Sequence, residues 1–280
     1  TIGWEQIQRS ENKYLGDGST GTGTRAINAG GYDSPNTTNV NTIDYNTIEI
    51  QSNSVDFGDL VVATQHPGAV SDRTRYVNMG GTDPGTLNTI QFVSVSSTGN
   101  TSDFGDISVA RNYVAGSASA TRGLTSSGFT GSANNTIEYV TISSTGNAFD
   151  FGDLSIAKYS TTGLSDSIRG YVVGGDLSPD VNQSTIEVNI FASLGNASKF
   201  GDLLETRRST YACASSTRGI VAGGYNAPAD VRFIEKFNMA STGNTSYFGD
   251  LLYAARDGVG ASNSTRGIFA GGVLAAGGAT

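Results

Sequence analysis

The chain holds one cysteine, Cys213, and one histidine, His66, among 280 residues. A single Cys rules out an internal disulfide and a Cys-based zinc site. A single His rules out a His-rich metal centre. Charge is scarce as well: Asp, Glu, Lys and Arg make up 15% of the chain, against ~25% in an average globular protein. Basic residues are the rarer sign, with 17 Lys and Arg against 25 Asp and Glu and a formal net charge of −8. That balance repels phosphate backbones and anionic bilayers, and so points away from nucleic acid and membrane surfaces. No apolar run approaches the ~20 residues of a membrane-spanning helix. The residues Thr1-Ile2-Gly3-Trp4-Glu5 show neither the basic region nor the apolar core of a signal peptide. Sustained helical periodicity is missing throughout.

What is abundant is glycine, with 38 residues, about twice the usual share of ~7%. Together with many Ser, Thr and Asn this resembles a disordered, low-complexity composition. Two features oppose that reading. The chain carries 12 Tyr and 12 Phe with 37% hydrophobic residues, and its glycines recur with a period.

The tetrad Phe-Gly-Asp-Leu/Ile starts at Phe57, Phe104, Phe151, Phe200 and Phe248, in nearly equal steps along the chain. An Arg follows each tetrad Phe at one constant distance, at Arg75, Arg122, Arg169, Arg218 and Arg266, and Arg25 precedes the first tetrad. A little beyond each Arg, again at a constant distance, stands a Gly pair: Gly30-Gly31, Gly80-Gly81, Gly174-Gly175, Gly223-Gly224 and Gly271-Gly272, with Ser127-Gly128 in the third copy. A segment beginning at Asn41, Asn88, Asn135, Ser184 and Arg232 precedes each tetrad Phe, and this distance too is the same in all five copies. Only the distance from the Arg to that segment varies, being longest from Arg25 to Asn41 and shortest from Arg75 to Asn88 and from Arg122 to Asn135. All length variation therefore falls in one loop, just after the Gly pair.

Each unit reads as four strands. Thr185-Ile186-Glu187-Val188-Asn189-Ile190 alternates apolar and polar, the signal of a half-buried strand. Gly170-Tyr171-Val172-Val173 and Gly219-Ile220-Val221-Ala222 are short runs of β-formers ended by Gly. Ser-Thr-Gly-Asn at 97–100 and 144–147 reads as a hairpin turn. We name the strands a (after the tetrad), b (Arg to Gly pair), c (the Thr-Ile-Glu segment) and d (ending in the tetrad). Four antiparallel strands per ~48 residues is the arithmetic of a propeller blade. The sequence thus predicts an all-β protein, with residues 1–280 forming a single β-propeller of six four-stranded blades. Six a–b units but five c–d units are present. The ring is therefore expected to close by pairing the N-terminal strand Gly3–Arg9, with Trp4 near the Phe position, with the last blade. Val273–Thr280 is expected to add a short c strand.

Residues used equally in every blade are expected to serve the blade. The tetrad Phe packs between blades, and its Gly permits a bulge or a close backbone approach. The Asp residues Asp59, Asp106, Asp153, Asp202 and Asp250 accept backbone N–H bonds or pair with the repeated Arg. Cys213 is expected on strand a near the ring centre as a small buried apolar residue. The variable b–c loops offer the candidate binding surface, because variable loops on a rigid scaffold are where binding usually resides. Their candidate ligand-binding residues are Tyr32, Asp33, Asp83, Phe129, Asp176, Asp180, Tyr225 and Asn226, aromatic faces beside hydrogen-bonding neighbours that suit sugars or polar surfaces.

The Gly pairs that end strand b resemble those of kelch-type β-propeller repeats. The Trp that kelch repeats carry after strand c is absent, and Phe-Gly-Asp-Leu takes that region. The fuller pattern, Ser-Thr-Gly-Asn, then Phe-Gly-Asp-Leu, then Thr-Arg-Gly and Gly-Gly, resembles repeats of virion structural and tail-fibre proteins of marine tailed phages, cyanophages among them. It covers roughly residues 24–272. The resemblance implies a non-enzymatic structural or receptor-binding propeller on a virion or other extracellular assembly. Its partners would be neighbouring assembly proteins or a host-surface glycan, with no cofactor and no metal. Two alternatives stand beside it. One is a carbohydrate-active enzyme using acidic residues of the loop face, where Asp33, Asp83, Asp176 and Asp180 are expected together. The other is an intracellular kelch-like adaptor.

Overall fold

The repeated runs of β-branched and aromatic residues, each punctuated by Gly or a polar turn, fold into small antiparallel sheets arranged as a β-propeller. A computed structural model describes residues 25–33 and 38–275, and these contain strands and turns but no helix. Blade 1 has three strands among the described residues, Arg25–Ala29, Thr42–Thr47 and Val55–Asp59. Blade 2 has Gly68–Ser71, Arg75–Met79, Thr89–Ser94 and Ser102–Asp106. Blade 3 has Ala115–Ala118, Arg122–Ser126, Asn134–Thr141 and Phe149–Lys158. Blade 4 has Thr162–Ser165, Arg169–Val173, Thr185–Ile190 and Ser198–Asp202. Blade 5 has Tyr211–Ala214, Arg218–Ala222, Phe233–Asn238 and Ser246–Asp250. In each four-stranded blade the sheet order is a-b-c-d. The a strands crowd one another at the centre. A Cβ on Gly163 would lie 1.9 Å from the Gly116 carbonyl oxygen, and one on Gly260 would lie 1.9 Å from that of Ala212.

The count differs from the six four-stranded blades expected. Among the described residues five blades are formed, and beside them Val259–Ser262 and Gly267–Ala270 make a two-stranded sheet. Val273–Leu274 is not a c strand on Gly267–Ala270; it pairs with Ala255–Arg256. The reason lies in the Gly pair. Gly271 and Gly272 turn the chain with φ of +66° and +93°, as the other Gly pairs do. The next residues then meet the segment before strand a, as Tyr225 meets Arg208 in blade 5. The N-terminal strand expected to close the ring lies outside the described residues. Arg266 of the two-stranded sheet donates to the Ile48 carbonyl of blade 1 at 2.8 Å, and Asn263 donates to Glu49.

The tetrad and the Ser-Thr-Gly-Asn turn prove to be two halves of one joint between neighbouring blades. In every blade the c–d pairing skips the tetrad Phe, a β-bulge between, for example, Ile186 and Glu187 on the partner strand. The turn of the next blade then lies along the tetrad. The N–H groups of Gly99, Gly146, Gly195 and Gly243 donate to the carbonyls of Phe57, Phe104, Phe151 and Phe200 at 2.7–3.0 Å. The Asn side-chain oxygens of Asn100, Asn147, Asn196 and Asn244 accept the N–H of Asp59, Asp106, Asp153 and Asp202, each at 3.0 Å. The two glycines touch back to back, and a Cβ on Gly152 would lie 2.4 Å from the Gly195 oxygen. Phe57, Phe104, Phe151 and Phe200 are 2–4% exposed in these joints, whereas Phe248 is 50% exposed.

The repeated Arg completes the joint. Arg25, Arg75, Arg122 and Arg169 donate to the carbonyls of Val95, Ile142, Phe191 and Ala240 on the following blade. Three of them lie over rings of their own blade, Tyr45, Phe92 and Tyr139, at 4.7–4.8 Å. The tetrad Asp acts chiefly through its backbone here. Of the carboxylates, Asp202 pairs with Lys199 and Asp250 with Arg232.

A second set of contacts locks the blades from within. The Glu that follows Ile137, Ile186 and Ile234 in strand c of blades 3 to 5 is buried and meets a buried cation from the end of the preceding d strand or the connection after it. The pairs are Arg111–Glu138 at 2.7 Å, Lys158–Glu187 at 2.8 Å and Arg207–Glu235 at 2.5 Å. Each Glu also accepts a backbone N–H, from Ser108, Ser155 or Leu204. In blade 2 a neutral version stands in the same place, with Gln91 accepting from the Val62 N–H and donating to the Val62 carbonyl.

Candidate functional site

The d–a connections and the b–c loops emerge on one face of the propeller, where they pair through short bridges such as Asn112 with Phe129 and Tyr159 with Asp176. Just before each a strand, one residue takes the left-handed conformation: His66, Tyr113, Ser160, Ser209 and Asp257, with φ of 51–55°. Their backbones form a relay. The N–H of Tyr113 donates to His66, Ser160 to Tyr113, Ser209 to Ser160 and Asp257 to Ser209, at 2.9–3.2 Å. The relay runs from blade to blade and makes the floor of an open basin of about 410 Å³.

The basin wall is aromatic on one side. His66 stacks on Tyr113 with ring centres 4.0 Å apart, Tyr113 meets Tyr159 at 6.1 Å, and Tyr159 meets Phe129 at 5.2 Å. On the other side Tyr225 lies between two guanidinium groups, Arg208 at 5.1 Å and Arg256 at 5.0 Å. Each Arg is held by carboxylates. Arg208 donates to Asp176 and, at 3.2 Å, to Asp180. Arg256 pairs with Asp230 at 2.8 Å and Asp257 at 3.3 Å. The Tyr159 hydroxyl donates to both Asp176 and Asp180 at 3.4 Å. Burial, and then the two carboxylates, hold that phenol above its ordinary range. Asp176 is fully buried, and its Oδ1 has no hydrogen-bond partner among the described residues.

Of the eight loop residues expected to bind, Phe129, Asp180 and Tyr225 line the basin, and Asp176 lies beneath it holding Arg208. The other four do not line it. Asp83 accepts from Asn39, and Asn226 donates to Glu205. Tyr32 and Asp33 pair with Thr38–Asn39 in a short ribbon. The sequence reading missed the d–a contributors His66, Tyr113, Tyr159, Arg208, Arg256 and Asp257. A signal was present. Immediately before each a strand, Gln65-His66, Asn112-Tyr113, Tyr159-Ser160, Arg208-Ser209 and Arg256-Asp257 differ in every copy, while their surroundings repeat.

Cys213 lies on an a strand at the centre, where burial pushes its thiol up to about 12. Among the described residues no three His, Cys, Asp or Glu side chains converge as metal ligands. The chain matches no protein-family model, and no curated protein is significantly similar to it in sequence.

Proposed function

We propose that the protein is a non-enzymatic binding propeller that takes a glycan in the loop-face basin. The observation that carries this reading is the pairing of an aromatic wall, Tyr113, Tyr159 and Phe129, with polar groups a few ångströms away. Sugar rings present C–H faces that stack on such rings and hydroxyls that meet Asp and Arg. Asp176 and Asp180 both lie on the Arg208 guanidinium. That arrangement favours fixed acceptors over the acid and nucleophile pair of a glycosidase.

The setting is a virion, as a tail fibre or similar extracellular assembly, and its support is the likeness of the Ser-Thr-Gly-Asn and Phe-Gly-Asp-Leu repeats to those of marine tailed phages. In this reading Val259–Ser262 and Gly267–Ala270 begin a sixth blade. The Arg266 bond to Ile48, made in the manner of the other repeated Arg residues, supports it. An intracellular adaptor role would leave the aromatic wall without a use.

A glycan array run beside a reducing-sugar release assay tests the proposal. Tyr159→Ala and Phe129→Ala are expected to weaken glycan binding at least tenfold, with no sugar released by the parent protein. Sugar release that Asp176→Asn abolishes would establish the enzyme instead.

A further inference from the structure

The basin has an electrostatic sign. Two guanidinium groups line it, Arg208 and Arg256. Each is bonded to two carboxylates, Arg208 to Asp176 and Asp180, Arg256 to Asp230 and Asp257. Four carboxylates thus stand against two guanidiniums. The buried cations Arg111, Lys158 and Arg207 do not shift that balance, because each is matched by one Glu. The Tyr159 phenol registers the excess. Burial first, and then Asp176 and Asp180, hold it above its ordinary range, while Arg208 opposes them by less.

The two Arg clusters differ in what they show to a ligand. On the Arg256 side both carboxylates are covered, with side-chain exposures of 7% and 10%. On the Arg208 side Asp176 is buried, but the Asp180 side chain is 81% exposed. Among the described residues Asp180 accepts through Oδ1 alone, from Arg208 at 3.2 Å and from the Tyr159 hydroxyl at 3.4 Å. Its Oδ2 is left for a ligand. Tyr159 and Phe129 line the same basin with ring centres 5.2 Å apart, and the π faces of such rings are negative. A carboxylate beside aromatic faces is the chemistry that holds an ammonium group. An acidic sugar meets the opposite, since the Nη1 of Arg208 already carries two carboxylates.

From this balance we infer that the basin selects its ligand by a positive charge, and that the glycan it takes carries a free amine, as a hexosamine unit without its acetyl group does. The inference rests on the glycan reading of the basin and adds the charge of the ligand. The ammonium is held by Asp180 and the rings of Tyr159 and Phe129. The basin volume of about 410 Å³ falls within the ~300–1,000 Å³ of small-molecule sites. A methylated amine without a sugar offers the same ammonium chemistry, and the test separates the two sources.

The full chain is titrated by calorimetry in near-neutral buffer, where a hexosamine amine is largely protonated. The probes are chitobiose with one free amine, fully acetylated chitobiose, and tetramethylammonium chloride. The amine-bearing disaccharide is expected to bind 1:1 and at least tenfold more tightly than the acetylated one. Asp180→Asn suits the positive φ of that position and leaves Asp176 on Arg208. It is expected to weaken the amine-bearing disaccharide at least fivefold and the acetylated one less than twofold. Equal affinity for the two disaccharides, or a preference for the acetylated one, overturns the inference and leaves the glycan reading standing. Tetramethylammonium binding as tightly as the amine-bearing disaccharide, with the same loss in Asp180→Asn, upholds the cation site and removes the glycan reading. An affinity for the amine-bearing disaccharide indifferent to Asp180→Asn, or no saturable binding of either charged probe, overturns the inference whatever the glycan array returns.

Discussion

The ion pair Arg111–Glu138 offers a test with a control built into the same molecule. Both side chains are essentially inaccessible, at 0% and 2% exposure, and their charged atoms stand 2.7 Å apart. Glu138→Gln preserves shape and keeps the acceptor for the Ser108 N–H, as Gln91 keeps the one from Val62. What it removes is the negative charge, which leaves a guanidinium buried without its counter-ion. Breaking one side of a buried pair costs about 3–5 kcal/mol, whereas replacing both sides with apolar or neutral groups of similar volume is often neutral. Glu138→Gln alone and Arg111→Met alone should therefore each lower unfolding stability by about 3–5 kcal/mol. The double variant copies the neutral chemistry of blade 2 and should lie within about 1 kcal/mol of the parent. Urea denaturation followed by far-UV dichroism, with the m-value checked for constancy, gives the four corners of the cycle. Those corners correspond to a coupling of at least about 5 kcal/mol, above the ~0.5–3 kcal/mol usual for contacting residues. A Glu138→Gln cost under about 1 kcal/mol, or a double variant as unstable as the sum of the singles, would refute the reasoning.

Phe151→Ala should cost about 3–5 kcal/mol, because the ring is buried between blades, while Phe248→Ala at the half-exposed position should cost under ~1 kcal/mol; equal losses would dissociate the tetrad from the joint. Gly163→Ala places a methyl 1.9 Å from the Gly116 oxygen and should destabilise by about 1–3 kcal/mol through overpacking, read as a fall in Tm. Burial alone would raise the Glu187 carboxyl, but Lys158 and the Ser155 bonds outweigh it and hold the group below its usual range. A depressed folded-state value gives stability that is present above the unfolded Glu range and is lost as pH falls through the folded one. The Lys158→Met/Glu187→Gln double variant should accordingly show a shallower loss of stability between about pH 5 and the acid limit; an unchanged acid limb would remove this pair as its source.

The repeat, the strand positions and the fixed places of the turns could be read from spacing alone, because each follows from local sequence. What joins one copy to another could not. Asn100 and Asp59 are 41 residues apart, and nothing in the pattern says whether a turn meets its own blade or the next. The alternation of Thr185–Ile190 suggested one buried and one wet face, yet Ile186 and Glu187 are both buried. In a propeller both faces of a blade are covered by neighbours, so alternation reports which neighbour a residue meets, apolar on one side and ionic on the other. The loop face was found through the loops that change length. The more telling positions, from His66 to Asp257, sit in segments of constant length, where side-chain variety is hidden by an invariant count.

The left-handed relay of His66, Tyr113, Ser160, Ser209 and Asp257 separates architecture from chemistry. Its blade-to-blade bonds are made by peptide groups, so the side chains at these positions carry none of the relay. Each can be exchanged, within the residues that accept a positive φ, without removing a bond of the relay. The five positions behave like sockets in a rack. Mutation can reset what the basin presents one blade at a time while the peptide relay beneath it stays in place.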